Sequence, residues 1–501
     1  MNTVPHPEVR LLHKSGKRIM DACAEAAWQS AGDFAQVEEA VRVAILELRM
    51  VLTSAGLRLS AEKSRRVQHC PGCGLALRAW SLEPRRVVTA EGEATYSPIR
   101  YRCTRCGEDY YPLEEANGLC GSQYTTGAKA VIAETAAQRP YGHVSRSLGG
   151  ERGLSVSPKE VDRTVREVAG WRREEEATLC GSAYGPEAAL LRASDADPLA
   201  DAPALHGFAA WPGTVPALIS VDGAMVRSTR KGPEGLEWFE CRAGVIRSVS
   251  ESGSRTDATR EGTGREGTTH REAAPAAFYT GGVCTPDALF DQLGASWRKA
   301  VPSASECVFV ADGARWIWDR VQLYFPDALQ VLDFYHACEH IGSATSAWFG
   351  ERTAELSRAA RSSAIAWRQT ARKTLLEPEG VSVVIRELLE ALRDPEKVAD
   401  PDLLRTEIRY LFGHRHRMRY HRVKERGLPI GSGAMESGIK QMTTARLRMP
   451  GMKWTRDGAD AILRIRAAHL SQSLRLTTHR RHDTLQQTAA ERYKGPEALA
   501  A

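Results

Sequence analysis

The sequence has no apolar run of eighteen or more residues, the length a helix needs to cross a bilayer, so no membrane-spanning helix is expected. Its opening stretch, MNTVPHPEVRLLHKSGK, lacks the apolar core of a secretory signal, and a cytoplasmic protein is expected. It has no internal repeat. Paired cysteines are few: of 11 cysteines, an odd number, four fall into two CxxC pairs and the rest are scattered singly. In a cytosolic chain that excludes a disulfide framework and points to a metal site plus isolated thiols. Net charge is also small, +6 over 501 residues, and by itself says nothing of partners.

The distribution of charge says more. Residues 401–480 hold 17 Lys and Arg against 6 Asp and Glu, a local balance of +11, so the rest of the chain sums to −5. A basic tract of this kind is the electrostatic footprint of a polyphosphate partner, with double-stranded DNA the leading candidate; a solvated surface face is the alternative. His414, His416 and His421 sit among these arginines and read as part of that basic face rather than as metal ligands.

The length suggests several domains. Residues 1–66 form a helical region, with Val37, Val41, Ile45 and Leu48 at helical spacing over about 33–57. Residues 67–120 carry the cysteines. Residues 121–183 read as a helix-turn-helix DNA-binding region: helices over Tyr141–Leu148 and Val161–Val168, a turn at Leu148-Gly149-Gly150, and a capping box at Ser157-Pro158-Lys159-Glu160. Residues 184–213, rich in Ala, Asp, Pro and Gly, read as a linker. From 214 to 475 strands and helices alternate, with strands over Ala217–Val221, Trp238–Val249, Cys307–Ala311 and Leu329–Leu332. A low-complexity loop (249–275) and a helical insertion (341–426) interrupt this domain, and residues 476–501 read as a flexible tail. The fold class expected is multi-domain α+β, ending in an α/β domain.

Cys70-Pro-Gly-Cys73 and Cys103-Thr-Arg-Cys106 are each followed by glycine and lie 29 residues apart. Four thiolates at that spacing suit tetrahedral Zn²⁺ in a zinc ribbon, with thioredoxin-like redox work and rubredoxin-like iron as the alternatives, and Cys120 comes too late to join them. Arg100, Arg102 and Arg105 on its loops are candidates for DNA contact.

Three acids stand out. Asp222 follows the apolar ALISV, Asp312 ends the apolar CVFVA, and Glu436 begins a helix after Gly431-Ser432-Gly433. A carboxylate at a strand end is costly to bury unless paired or metal-bound. Any one of them could be a salt-bridge partner; the strand, strand, helix sequence favours a joint role. Hard cations such as Mg²⁺ or Mn²⁺ prefer carboxylate oxygens, and two such ions roughly 4 Å apart serve phosphodiester cleavage and transfer. Asp333 and His336 follow the next strand, either beside such a site or capping the helix that starts there; Lys440 lies one turn after Glu436, placed to hold a phosphate or to pair with the glutamate. Arg446, Arg448 and Lys453 are candidate contacts to the DNA backbone, and Trp454 a candidate base-stacking residue or a core residue.

The stretch Gly427-Leu-Pro-Ile-Gly-Ser-Gly-Ala-Met-Glu436-Ser-Gly-Ile-Lys440, followed by Arg446-Leu-Arg448, Gly451-Met-Lys-Trp454 and Arg464-Ile-Arg466, resembles the final acidic helix of bacterial insertion-sequence transposases of the Kra type, and more distantly Mutator-like elements. Ser220-Val-Asp222-Gly, Val310-Ala-Asp312-Gly and Asp333-Phe-Tyr-His336 match the same family's remaining motifs, and the resemblance spans roughly residues 60–475. It implies an RNase H-like catalytic domain of the retroviral-integrase type with a helical insertion, metal ligands at Asp222, Asp312 and Glu436, and strand transfer by a homo-oligomer on DNA at the bacterial nucleoid. The Tyr-Arg-Glu-Lys signature of hairpin-forming transposases is missing, since Pro429 and Thr443 stand at its arginine and lysine positions. An RNase H-like nuclease without strand transfer and a zinc-ribbon DNA-binding regulator are the rival functions.

Overall fold

The computed structural model describes residues 6–30, 32–63, 69–186, 197–208, 210–212, 215–232, 235–249, 276–301, 306–350, 358–431 and 433–493. The chain divides into two compact units, Met1–Glu174 with Ser473–Ala501, and Glu175–Gln472. It is mixed α and β, and no described helix is long and apolar enough to cross a membrane.

The first unit opens with two long helices, α1 (Pro7–Gln29) and α2 (Phe34–Lys63), where the periodicity led us to expect one. Proline at the first helical position and the His6 ring accepting from the Glu8 N–H start α1; the Asp33 carboxylate accepts from Ala35 N at 3.0 Å to start α2. The cysteine region follows as β1 (Arg78–Leu82), β2 (Arg85–Thr89), β3 (Gly92–Tyr96), β4 (Ile99–Arg102) and β5 (Asp109–Tyr110). Strands β1, β4 and β5 form an antiparallel sheet, while β2 and β3 form a separate hairpin.

After α3 (Pro112–Ala116) come α4 (Thr126–Gln138), α5 (Tyr141–Arg152) and α6 (Pro158–Tyr184). The Ser157 half of the expected capping box forms, its Oγ accepting from Glu160 N at 3.2 Å, while the Glu160 carboxylate pairs with Arg163 at 2.6 Å. The expected turn at Gly149-Gly150 does not form, because α5 continues to Arg152 and ends on Gly153 at φ 65°. Isolated glycines are tolerated inside a helix, whereas the left-handed conformation that stops one selects glycine. Helix α6 is much longer than expected, and the division between units falls within it. Buried Lys129 of α4 pairs with Glu167 of α6 at 2.7 Å and lies over the Trp171 ring.

The expected flexible tail is a helix, α16 (Leu474–Arg492), which packs on α3 and α4. Arg475 pairs with Glu134 at 3.0 Å and Gln486 donates to the Ala116 carbonyl at 2.9 Å. Its polar composition hid it, because it docks through side-chain polar contacts and the terminal Tyr493 rather than an apolar stripe. Residues 494–501 lie outside the described residues.

The second unit is built on a five-stranded sheet of order β10-β9-β6-β7-β8, from β6 (Ala217–Gly232), β7 (Gly235–Ser248), β8 (Ala277–Gly282), β9 (Cys307–Ala311) and β10 (Leu329–Leu332). Strands β6, β9 and β10 are parallel; β6, β7 and β8 are antiparallel. Val308, Phe309 and Val310 are fully buried, as a parallel strand covered on both faces requires. Phe309 packs against Phe290 of α7 (Pro286–Ala300) and Trp318 of α8 (Arg315–Tyr324). The low-complexity loop lies outside the described residues from 250 to 275, and β8 behind it was not foreseen.

The block between β10 and the last acidic segment is a run of helices joined by turns, with no strand among its described residues: α9 (Phe334–Phe349), α10 (Arg358–Thr374), α11 (Gly380–Ala391), α12 (Pro401–His414) and α13 (Tyr420–Glu425). Two further helices, α14 (Gly433–Leu447) and α15 (Arg456–Leu470), complete the unit, with α14 packed on β6 and β7. The expected linker is only partly a linker. Residues 187–196 lie outside the described residues, but Leu199, Leu205 and Trp211 are buried, and Lys299 donates to the Leu199 carbonyl at 2.6 Å. Few but large apolar side chains anchor a segment whose average composition is that of a loop.

Candidate active site and cysteine cluster

The parallel strands set the acids level with one another. Register runs Ile219 with Phe309 and Leu332 with Ala311, so Asp222 and Asp312 each lie three residues past a paired position, and Asp333 follows beside Asp312. Neighbouring strands are roughly 4.8 Å apart, so the three aspartates stand at one level of the sheet; β6 runs on to Gly232, so Asp222, paired with Ala243, lies inside its strand and not at the strand end expected. Asp222, Asp312, Asp333, His336, Glu339 and Lys440 line one cleft of about 190 Å³. Asp222 and Asp312 are half-buried, Asp333 is buried, and Lys440 on α14 is exposed. Glu436 is placed in α14 one turn before Lys440; its side chain lies outside the described residues.

Local bonds fix the acids. Asp312 Oδ1 accepts from Ala314 N at 2.9 Å, and the Trp318 indole donates to the Asp312 carbonyl at 2.8 Å. Asp333 caps α9, accepting from Tyr335 N at 2.6 Å and His336 N at 3.0 Å. Both expected roles of Asp333 therefore coexist: it caps the helix and lines the cleft. His336 Nδ1 lies 3.2 Å from the Glu339 carboxylate.

Behind the cleft lies a group that the sequence did not reveal. His340 Nδ1 meets Glu407 of α12 at 2.6 Å, and the Tyr410 ring stacks on His340 with centroids 3.5 Å apart. The Tyr410 phenol is pushed up by burial and by the Asp312 charge. Two i, i+3 and i, i+4 spacings, Glu407 with Tyr410 and His336 with His340, were the available signals. His414 is not on an open basic face: it is half-buried against Tyr410, 4.6 Å between centroids, and burial and the neighbouring Arg417 push it down to about 4.

The basic tract is partly internal. Arg446 is 1% exposed and lies over the ring of Trp454, itself 7% exposed with its indole donating to the Leu447 carbonyl. Neither presents a surface to DNA, which corrects the expectation for Arg446 and makes Trp454 the core residue of its two readings. The Trp454 backbone extends the edge of β6 through bonds to Arg227 and Thr229, which explains its burial. Arg464 and Arg466 are also buried; Arg466 donates to the Met442 carbonyl at 2.8 Å, tying α15 to α14. Arg448 and Lys453 are exposed, and Arg448 donates to the Met225 carbonyl at 2.9 Å.

Cys70, Cys73, Cys103 and Cys106 place their sulfurs within 4.8 Å of one another, and no other group of three or more such ligands is found among the described residues. The two knuckles repeat one geometry. Gly74 N donates to the Cys70 carbonyl and Gly107 N to the Cys103 carbonyl, with both glycines at positive φ (72° and 74°). A larger residue at either position would be strained. Burial raises the Cys70 thiol, but hydrogen bonds from Tyr110, Gly72, Cys103 and Cys73 more than offset it and leave it at about 6. The donor set fits a zinc ion. Arg100 is engaged by Asp109 and Glu83, and Arg102 lies over Trp80, whereas Arg105 is exposed.

No curated protein matches the chain. Over residues 300–481, a stretch that includes Asp312, Asp333, His336, Glu436 and Lys440 but neither Asp222 nor the four clustered cysteines, the chain is similar to an uncharacterised protein family, UPF0236.

Proposed function

We propose that the chain is a DNA transposase of the acidic-triad type, working on double-stranded DNA as a homo-oligomer. The observation that carries this reading is the level placement of Asp222 and Asp312 on adjacent parallel strands in one cleft with Lys440 of α14. The strand order β10-β9-β6-β7-β8, with β7 alone running against the other four, supports an RNase H-like reading, and the helical block between Asp312 and Glu436 agrees with the insertion the family resemblance implies.

Asp222, Asp312 and Glu436 would hold Mg²⁺ or Mn²⁺. Bound there, divalent cations supply Lewis-acid stabilisation of the attacking and leaving oxygens of an in-line phosphodiester displacement. Asp312 arrives with one oxygen already committed to the backbone, which leaves the other directed by a fixed carboxylate plane. Lys440 adds a cation at the cleft mouth for a phosphate oxygen. Exposed Arg448 and Lys453 favour DNA backbone contact. The four cysteines would bind zinc as a zinc ribbon, and α4–α6 would act as the helix-turn-helix.

Full-length protein with DNA carrying the sequences that flank its coding region tests the reading. Mg²⁺-dependent nicking, and joining of pre-cut 3′-OH ends, are expected, and Asp222→Asn or Glu436→Gln should abolish both. Cleavage without joining would favour the nuclease, and retained activity in either variant would overturn the triad.

A further inference from the structure

The helical block carries a group that belongs to the acid cleft. Tyr410 Oη is buried and has no hydrogen-bond partner among the described residues. Buried hydroxyls are normally satisfied, so an orphan beside a catalytic-type carboxylate calls for an account. The hydroxyl fills the space a side chain at position 313 would need: a Cβ on Gly313 would fall 1.9 Å from it. Gly313 adjoins Asp312, whose charge acts on the phenol. The ring cannot swing away freely. It is stacked on His340, which Glu407 grips at 2.6 Å, and His414 lies against it with centroids 4.6 Å apart.

We infer that Tyr410 is a positioning residue for Asp312, holding a hydrogen-bond donor ready for that carboxylate when a divalent cation occupies the cleft. This rests on the proposed function. The phenol stays protonated and so can only donate to the carboxylate. One Asp312 oxygen is committed to Ala314 N, and a carboxylate has lone pairs beyond those used by one backbone bond and one metal. A donor from α12 would fix the carboxylate's remaining freedom, in the way partners behind metal ligands set ligand orientation. Gly313 is required because any side chain there would displace the hydroxyl.

The test is Mn²⁺ binding to the zinc-loaded full chain, by calorimetry, for wild type, Tyr410→Phe, Gly313→Ala and Asp312→Asn. Tyr410→Phe removes one oxygen and keeps the ring stack, so its thermal stability should match wild type. Its Mn²⁺ affinity should fall roughly 10–100-fold. The Mg²⁺ concentration for half-maximal DNA cleavage should rise by the same factor, with kcat at saturating metal near wild type. Gly313→Ala should weaken Mn²⁺ binding likewise. Wild-type Mn²⁺ affinity in Tyr410→Phe, while Asp312→Asn binds poorly, would overturn the role of Tyr410 and leave the acid site standing. Unchanged binding in Asp312→Asn would overturn both.

Discussion

Tyr493 packs edge-on against Tyr110, with ring centroids 6.1 Å apart and planes at 84°. Tyr110 in turn places its hydroxyl 3.4 Å from Cys70 Sγ. The end of α16 is thereby part of the core beneath the cysteine cluster, with Leu77, Tyr101 and Cys103. Tyr493→Ala is expected to destabilise the cysteine region by about 3 kcal/mol, the scale of removing a buried aromatic ring. Urea unfolding followed by zinc release to a chelator measures it. Release at the wild-type urea midpoint would show that the helix end contributes nothing.

The four thiols should hold one zinc per chain. Cys103→Ser is expected to lose the metal and the near-ultraviolet signature of Tyr101 and Tyr110, since Cys103 is fully buried among them. Cys120→Ser should keep full zinc content, because Cys120 lies outside the four-sulfur group. Elemental analysis of the purified variants decides both.

Asp222→Asn and Asp312→Asn should each reduce Mg²⁺-dependent cleavage by about a thousandfold or more, the kinetic equivalent of about 4 kcal/mol of lost transition-state stabilisation. Thermal stability without metal should stay level or rise, because a negative charge is removed from a cleft shared by three aspartates. Stability that rose with Mg²⁺ as steeply in the variants as in wild type would place the cation elsewhere.

Two kinds of arginine in the basic tract should behave in opposite ways. Buried Arg464 bridges Asp460 at 3.0 Å and also engages Glu176, so Arg464→Ala strands two buried acids and should cost about 3–5 kcal/mol. The pair Arg448→Ala and Lys453→Ala should change stability little, yet reduce the slope of log binding constant against log salt for DNA by about 2. Thermal melts and salt-titrated fluorescence anisotropy separate the two classes.

His414 supplies a pH dependence. Its folded value, about 4, lies below its ordinary 6.5, so the unfolded chain takes up the proton first. Its contribution is full above pH 6.5 and is lost as the pH falls from 6.5 towards 4. His414→Gln should flatten the decline of the melting temperature across that window. A decline of unchanged steepness would show that His414 does not govern it.

Much of the frame could be read directly. Strands β9 and β10 begin and end where the apolar runs do, and the Ser157 cap forms as its spacing indicates. Such signals act within a few residues, through side-chain alternation or one capping bond. The misread segments are those whose partners are remote. Trp454 is buried because its backbone joins β6, more than two hundred positions earlier. Helix α16 is held by α3 and α4, and strand β8 by β7 and α15.

The sequence by itself determined which residues could do chemistry: four thiols at ligand spacing, aspartates directly after apolar runs, a lysine one turn past Glu436. Spacing along a chain constrains local geometry and fixes residue type. The tertiary structure decided where those groups point. It put Asp222, Asp312 and Asp333 at one level, turned Arg446, Arg464 and Arg466 inward, and set Tyr410 against Gly313, 97 positions away. A formal charge or a phenol looks the same in sequence whether it faces water, a carbonyl or a carboxylate; only packing between distant segments makes that choice.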